Sequence, residues 1–291
     1  MKKIILTIVI SFVFCVTAFT QNESDFIFNG KGMITGYIGK DTSIIIPSEI
    51  GGISVTIIGD RSFRYKNLTS VIIPDNVISI GFEAFQDNSL TSVVIPDSVT
   101  SIGDKAFNRN QIIFLQISGS LTSIGKDVFS GNRLTSVTIP DSVETIGDYA
   151  FGGNHLASVN LSNNLNSIER YAFSGNQLIT ITIPDSVITI EEGAFDRNQL
   201  TNIIIGNSVT RIGNNAFARN RLTTVIIPES VSTIGESAFF ENRLTEIIIN
   251  ENVTLESGYS VAFGNGFDRF YNSNGKKKGA YVNINGQWSM L

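Results

Sequence analysis

Cysteine is nearly absent from this 291-residue chain: the one cysteine, Cys15, sits in an apolar run close to the start. Everything after it must fold without disulfides or thiolate metal sites, so a large apolar core has to hold the structure unaided. Histidine is equally scarce, with His155 alone, and there is no HExxH zinc signature and no glycine-rich phosphate loop. Basic residues are outnumbered, 21 against 26 acids, with a net charge of −5. Nucleic acid is therefore not an expected partner, because neutralising phosphates takes a dense cationic surface. After the first twenty residues no apolar run reaches the roughly 18 residues of a spanning helix, so no membrane span is expected there.

The start of the chain has a different character. Met1-Lys2-Lys3 is followed by an uncharged apolar run, Ile4 to Phe19, and then by polar sequence from Gln21. A basic first segment, a short apolar segment and small-residue contexts at Val16-Thr17-Ala18 or Ala18-Phe19-Thr20 read as a secretory signal peptide over residues 1–20. Cys15 would leave with it, as would Lys2 and Lys3, making the mature charge more negative. The expected localisation is secreted or cell surface.

The rest is dominated by a repeat, exemplified by "LTSVTIPDSVETIGDYAFGGNH" from Leu134 to His155. Phe63, Phe85, Phe107, Phe129, Phe151, Phe173, Phe195, Phe217 and Phe239 recur at a constant 22-residue step. Leucine and isoleucine columns keep the same step, through Leu134 and Ile146 in the quoted unit. Val137-Thr138-Ile139 alternates in, out, in, as a short strand requires. Pro140-Asp141 supplies a turn, Val143 to Ile146 reads as a second extended piece, and Ala150-Phe151 returns the chain to the interior. One unit cannot bury its own apolar side, whereas stacked units bury one another's. Asn88, Asn110, Asn132, Asn154, Asn176, Asn198, Asn220 and Asn242 form a further column. It is expected to be a buried ladder that bonds backbone groups left unpaired by the turn.

The pattern LxxVxIPxxVxxIGxxAFxxN resembles the BspA-like leucine-rich repeat of bacterial surface and secreted proteins, over roughly residues 44 to 263. The resemblance implies a β-rich, right-handed leucine-rich repeat superhelix with a parallel sheet on one face, and a general role in adhesion or protein binding. The expected organisation is an N-terminal β-hairpin cap over 21–46, a solenoid of about ten coils over 47–263, and a C-terminal β-hairpin cap over 264–291. Asn29-Gly30, Asn274-Gly275 and Asn285-Gly286 are the expected hairpin turns. A sorting or attachment signal is the competing reading of the tail.

No catalytic residue, metal site or cofactor is expected. His155 shares its column with Ser89, Gln111, Arg133, Gln177, Gln199, Arg221 and Arg243, which marks an exposed loop position. Binding is the expected function, with a protein or glycan ligand, host extracellular molecules included. A carboxylate-based hydrolase or a structural, ice-surface protein are the alternatives. The outward face of the sheet is small-residue and nearly uncharged. Phe114 and Gln116 break its Ser/Thr pattern, and Asn160 and Asn202 interrupt it further. Aromatics are over-represented at binding hot spots, which makes Phe114 the leading candidate. Arg133, Arg221 and Arg243, with Arg109, Arg197 and Arg219, place positive charge in the loop before the strand, and Asp75, Asp97, Asp141, Asp185 and Glu229 place negative charge in the turn after it. Lateral self-association or capture of an acidic partner is what such edges would serve. Pro96, Pro140, Pro184 and Pro228 alternate with Ser118, Ser162, Gly206 and Asn250, suggesting growth by 44-residue pairs.

Overall fold

The computed structural model describes residues 21–256 and 261–291; the expected signal peptide lies outside them. The chain winds into a right-handed β-solenoid. Its ten coils are numbered here by their main strands, from Ser43–Ile45 (coil 1) and Ser70–Ile72 (coil 2) to Glu246–Ile249 (coil 10). Each coil has three sides. The main strand forms the first, a two-residue strand such as Thr145–Ile146 forms the second, and a tight turn carrying the Ala-Phe pair forms the third.

The third side is the most regular. Around Phe151 the backbone alternates into the left-handed region at Tyr149 (φ 56°) and Gly153 (φ 64°). This aligns the N–H groups of Tyr149, Phe151 and Gly153 with the carbonyls of Arg170, Ala172 and Ser174 on the next coil, each at 2.9 Å. Left-handed tyrosine is costly by itself, so the conformation persists because three inter-coil bonds depend on it.

Inside this side run the two columns visible in the sequence. The phenylalanine rings from Phe63 to Phe263 stack at 5.0–5.7 Å, near the separation of successive coils. The rings from Phe63 to Phe239 are fully buried. Beside them, the Nδ2 of Asn154 donates to the carbonyls of Phe129 (3.0 Å) and Phe151 (3.1 Å), while its Oδ1 accepts from the N–H of Leu134 (3.1 Å). The same three bonds recur from Asn88 to Asn242, so each amide ties its own coil to the one before.

The main strands are less uniform. They pair in parallel two by two: coil 1 with 2, 3 with 4, 5 with 6, 7 with 8 and 9 with 10. Within every doublet one further bond follows the strands, as from the N–H of Ile139 to the carbonyl of Asn160 at 2.9 Å. Among the described residues no ladder joins one doublet to the next on this side. On the second side the two-residue strands are continuous except between Ser101–Ile102 and Ser123–Ile124.

Both ends are closed, with differences from expectation. The N-terminal hairpin comprises Phe26–Phe28 and Met33–Tyr37, and Phe26 and Tyr37 pack on the first ring, Phe63. Ser43–Ile45, read as part of this cap, is instead the first main strand. Its free edge is held by the Gln21 side chain, which donates to Ser43 O (2.8 Å) and accepts from Ile45 N–H (2.7 Å). At the far end Asn274-Gly275 is not a hairpin turn. It ends a helix, Phe267–Ser273, whose Phe267 meets Phe263 edge-on at 5.0 Å. A left-handed glycine stops a helix as readily as it turns a hairpin, which is why the motif misled. Asn285-Gly286 does form a hairpin, between Gly279–Ile284 and Gln287–Met290, and its first strand pairs antiparallel with coil 10. No free main-strand edge is left at that end.

Two substitutions test this packing by denaturant unfolding. Phe151→Ala is expected to cost ~3–5 kcal/mol, because rings above and below hold the cavity open. Asn154→Ala, which strips the buried Leu134 N–H of its partner and removes one of two asparagine donors from Phe129 O and Phe151 O, is expected to cost about 1–3 kcal/mol. A loss below ~1 kcal/mol in either contradicts the ladder.

Candidate binding face

The outward side chains of the main strands form one long face. Its residues alternate with the buried Val and Ile of the same strands, so each coil contributes two side chains from the strand, and the residue just before each strand is exposed beside them. Glu246 is the only ionisable residue among the outward positions of the ten main strands. Phe114 stands on this face, 55% exposed, opposite Ser92, with Gln116 opposite Val94. Asn160 and Asn202 are exposed on the same face, on coils 6 and 8. All four belong to the second coil of a doublet, and Asn160 Nδ2 reaches Thr138 Oγ1 at 3.4 Å.

Between doublets the face opens into slits, for a local reason. Within a doublet the carboxylate of the Pro-Asp turn accepts an N–H from the next coil: Asp97 from Gly119, Asp141 from Asn163 and Asp185 from Asn207, at 2.7–3.0 Å. Across a slit no such bond forms among the described residues. Past coils 4, 6 and 8 the place of that aspartate on the earlier coil is taken by Gly119, Asn163 and Asn207. The hydroxyls of Ser142, Ser186 and Ser230, each just past a slit, have no partner; the equivalent Ser98, past the first slit, reaches back across it to Val77 O at 2.7 Å. Core side chains show through: Leu115, Val159 and Leu161 are only partly buried. The slit between coils 6 and 7 widens into a cavity of about 370 Å³ floored by Val159, Leu161 and Ile181, with Asn160, Thr180 and Thr182 at its rim.

The basic edge divides in two. Arg133, Arg221 and Arg243 are exposed and form no ion pair within the described residues. Arg109 meets Asp87 at 4.0 Å, and Arg197 and Arg219 converge on Asp196. Arg219 grips that buried carboxylate with two bonds, 2.9 and 2.8 Å, and the pairing holds its guanidinium pKa up. Arg221 and Arg243 sit on adjacent coils, but Arg133 is four coils from Arg221, so the three do not converge. His155 is exposed, in keeping with a loop position.

One feature of the third side escaped the sequence reading. Tyr149 and Tyr171 stack at 4.9 Å, and Tyr171 donates to Glu192 at 2.6 Å. Burial, followed by that bond and its charge, pushes the Tyr171 pKa up. The Tyr171 ring lies over Gly193, where any side chain would collide with it. Two tyrosines one repeat apart were the available signal.

The repeat geometry now has an independent counterpart. The profile of the BspA type leucine-rich repeat region matches residues 40–156 and 144–265, in six copies. The chain belongs to the BspA-type leucine-rich repeat family. Among solved structures, this BspA-type chain is similar to a leucine-rich repeat protein from Bacteroides ovatus at 24% identity, with 79% of this chain and 64% of that one covered and a TM-score of 0.61. It is also similar to the pneumococcal vaccine antigen PcpA at 23% identity, with 73% and 63% covered and a TM-score of 0.54. A leucine rich cell surface protein from Faecalibacterium prausnitzii matches at 26% identity, with 78% and 87% covered and a TM-score of 0.36. The first two likenesses are likenesses of fold, and the chain spans less than two thirds of the length of either protein. No curated protein matches the sequence.

The slits predict a two-coil rhythm in amide hydrogen exchange. Ile139 and Ile183, whose N–H groups are bonded within doublets, are expected to exchange at least tenfold more slowly than Ile117 and Leu161, which face slits. Equal protection at all four would contradict the doublet.

Proposed function

We propose that this chain is an exported protein, secreted or held at the cell surface, that binds a protein or glycan through the outward face of its main sheet. The observation that carries this reading is the face itself: ten coils long, nearly free of charge, and broken by an exposed aromatic, Phe114. Interface cores are depleted of charge and enriched in aromatics, whereas ordinary exposed surface carries many charges. Membership of a repeat family associated with bacterial surface and secreted proteins supports export, as does the basic-then-apolar start of the chain. The unpaired Arg133, Arg221 and Arg243 beside the face would steer an acidic partner and raise its association rate.

No catalytic role is proposed. No group of three or more His, Cys, Asp or Glu is placed to hold a metal among the described residues, and His155 has no side-chain hydrogen bond there.

The test is biolayer interferometry against purified extracellular host proteins and glycans, with cell fractionation to locate the chain. Phe114→Ala is expected to weaken binding at least tenfold, and reversing Arg133, Arg221 and Arg243 to Glu is expected to slow association and flatten its salt dependence. Unchanged binding by both variants would remove the face and the edge as the site.

A further inference from the structure

We infer that the protein partner of this face is a second copy of the same chain, docked face to face with the two solenoids antiparallel. The inference rests on the reading of the main sheet as a protein-binding surface and names its occupant. Consider a two-fold axis lying in the plane of the face, perpendicular to the solenoid. It leaves every row of side chains facing the same row and sets coil 1 against coil 10, 2 against 9, and so on to 5 against 6. Such an interface is isologous, so a face can use it only if the order of residues along each row complements its own reverse.

The row at the end of the main strands has this property. Ile45, Ile72 and Val94 on coils 1–3 fall opposite Ile248, Ile226 and Ile204 on coils 10, 9 and 8. The polar centre folds onto itself, Gln116 over Thr182 and Thr138 over Asn160. Ile45, Ile72, Val94, Ile204 and Ile226 are 41–58% exposed. The row immediately before the strands repeats the result independently. It is threonine at most coils, with exposed isoleucine at Ile113 (60%) and Ile179 (52%), on coils 4 and 7, which the axis superposes.

A third observation concerns shape. The axis places Phe114 of the partner subunit over Thr180, at the rim of the cavity of about 370 Å³ between coils 6 and 7. The exposed aromatic of the face thus meets this opening, floored by the partly buried Val159 and Leu161. Glu246, the one charge, faces Ser43 at the periphery and stays hydrated. A face of about 45 Å by about 15 Å offers roughly 700 Å² per partner, close to the ~800 Å² of a standard interface.

Sedimentation equilibrium of the purified chain over a range of concentrations tests this, with circular dichroism to confirm that each variant is folded. The wild-type chain is expected at the mass of a dimer. Ile72→Lys and Ile226→Glu, each at an exposed position, are each expected to give a monomer. The double variant is expected to return to the dimer, because the axis sets the two new charges of opposite sign against each other twice. A monomeric wild-type chain, single variants that remain dimeric, or a double variant that remains monomeric would each overturn the inference. A monomeric chain whose binding to an extracellular ligand still depends on Phe114 would overturn it while leaving the proposed function standing.

Discussion

Each coil of this protein is registered on the next by one side-chain amide beside one ring. The asparagine bonds two carbonyls and one N–H drawn from two coils, and the phenylalanine next to it stacks on its equivalents above and below. The amide sets register and the ring supplies apolar burial. With no cysteine among the described residues, nothing covalent reinforces the stack. Neither group can be lost singly without cost, because a buried amide with no partner and a cavity between rigid neighbours are both expensive. The third side is therefore continuous along the solenoid, and the other two sides are free to vary.

The main sheet uses that freedom. Its strands pair in doublets, and in three of the five the aspartate of the Pro-Asp turn bonds forward to the next coil. Asparagine and phenylalanine hold adjacent doublets together on the far side of each slit, so the opening remains local. The result is a charge-poor face with a two-coil rhythm, in which the departures from Ser and Thr at coils 4, 6 and 8 all border a slit. A sheet with uninterrupted hydrogen bonding would present the same side chains over a sealed core.

The asparagine and phenylalanine columns could be read directly from the sequence because every coil gives those positions the same surroundings, so a single spacing identified fold, core and buried ladder together. The 44-residue alternation of proline was equally visible, but the division of the main strands into doublets was not, since proline also follows the strand of coil 2, which pairs with coil 1. Asn274-Gly275 was misread because a left-handed glycine serves a helix end as well as a hairpin. The basic edge was legible as composition only. Arg197 and Arg219 turn to Asp196, a residue in a column that varies from Arg64 and Gln86 through Ser130 and Gly152 to Phe240, so no periodic signal announced the pairing. Phe114, Gln116, Asn160 and Asn202 lie on the outward face expected for them. The slits beneath that face required the three-dimensional arrangement.

The central claim is that the solenoid is built from two-coil units, continuous along its phenylalanine side and open along its main sheet. A high-resolution crystal structure measures this most directly, through the N···O separation between Ile117 and Thr138 across a slit compared with that between Ile139 and Asn160 within a doublet. The account predicts a hydrogen bond near 2.9 Å in the second place and a separation well beyond hydrogen-bonding range in the first. Equal separations at both, in an unbroken ten-stranded sheet, would contradict it.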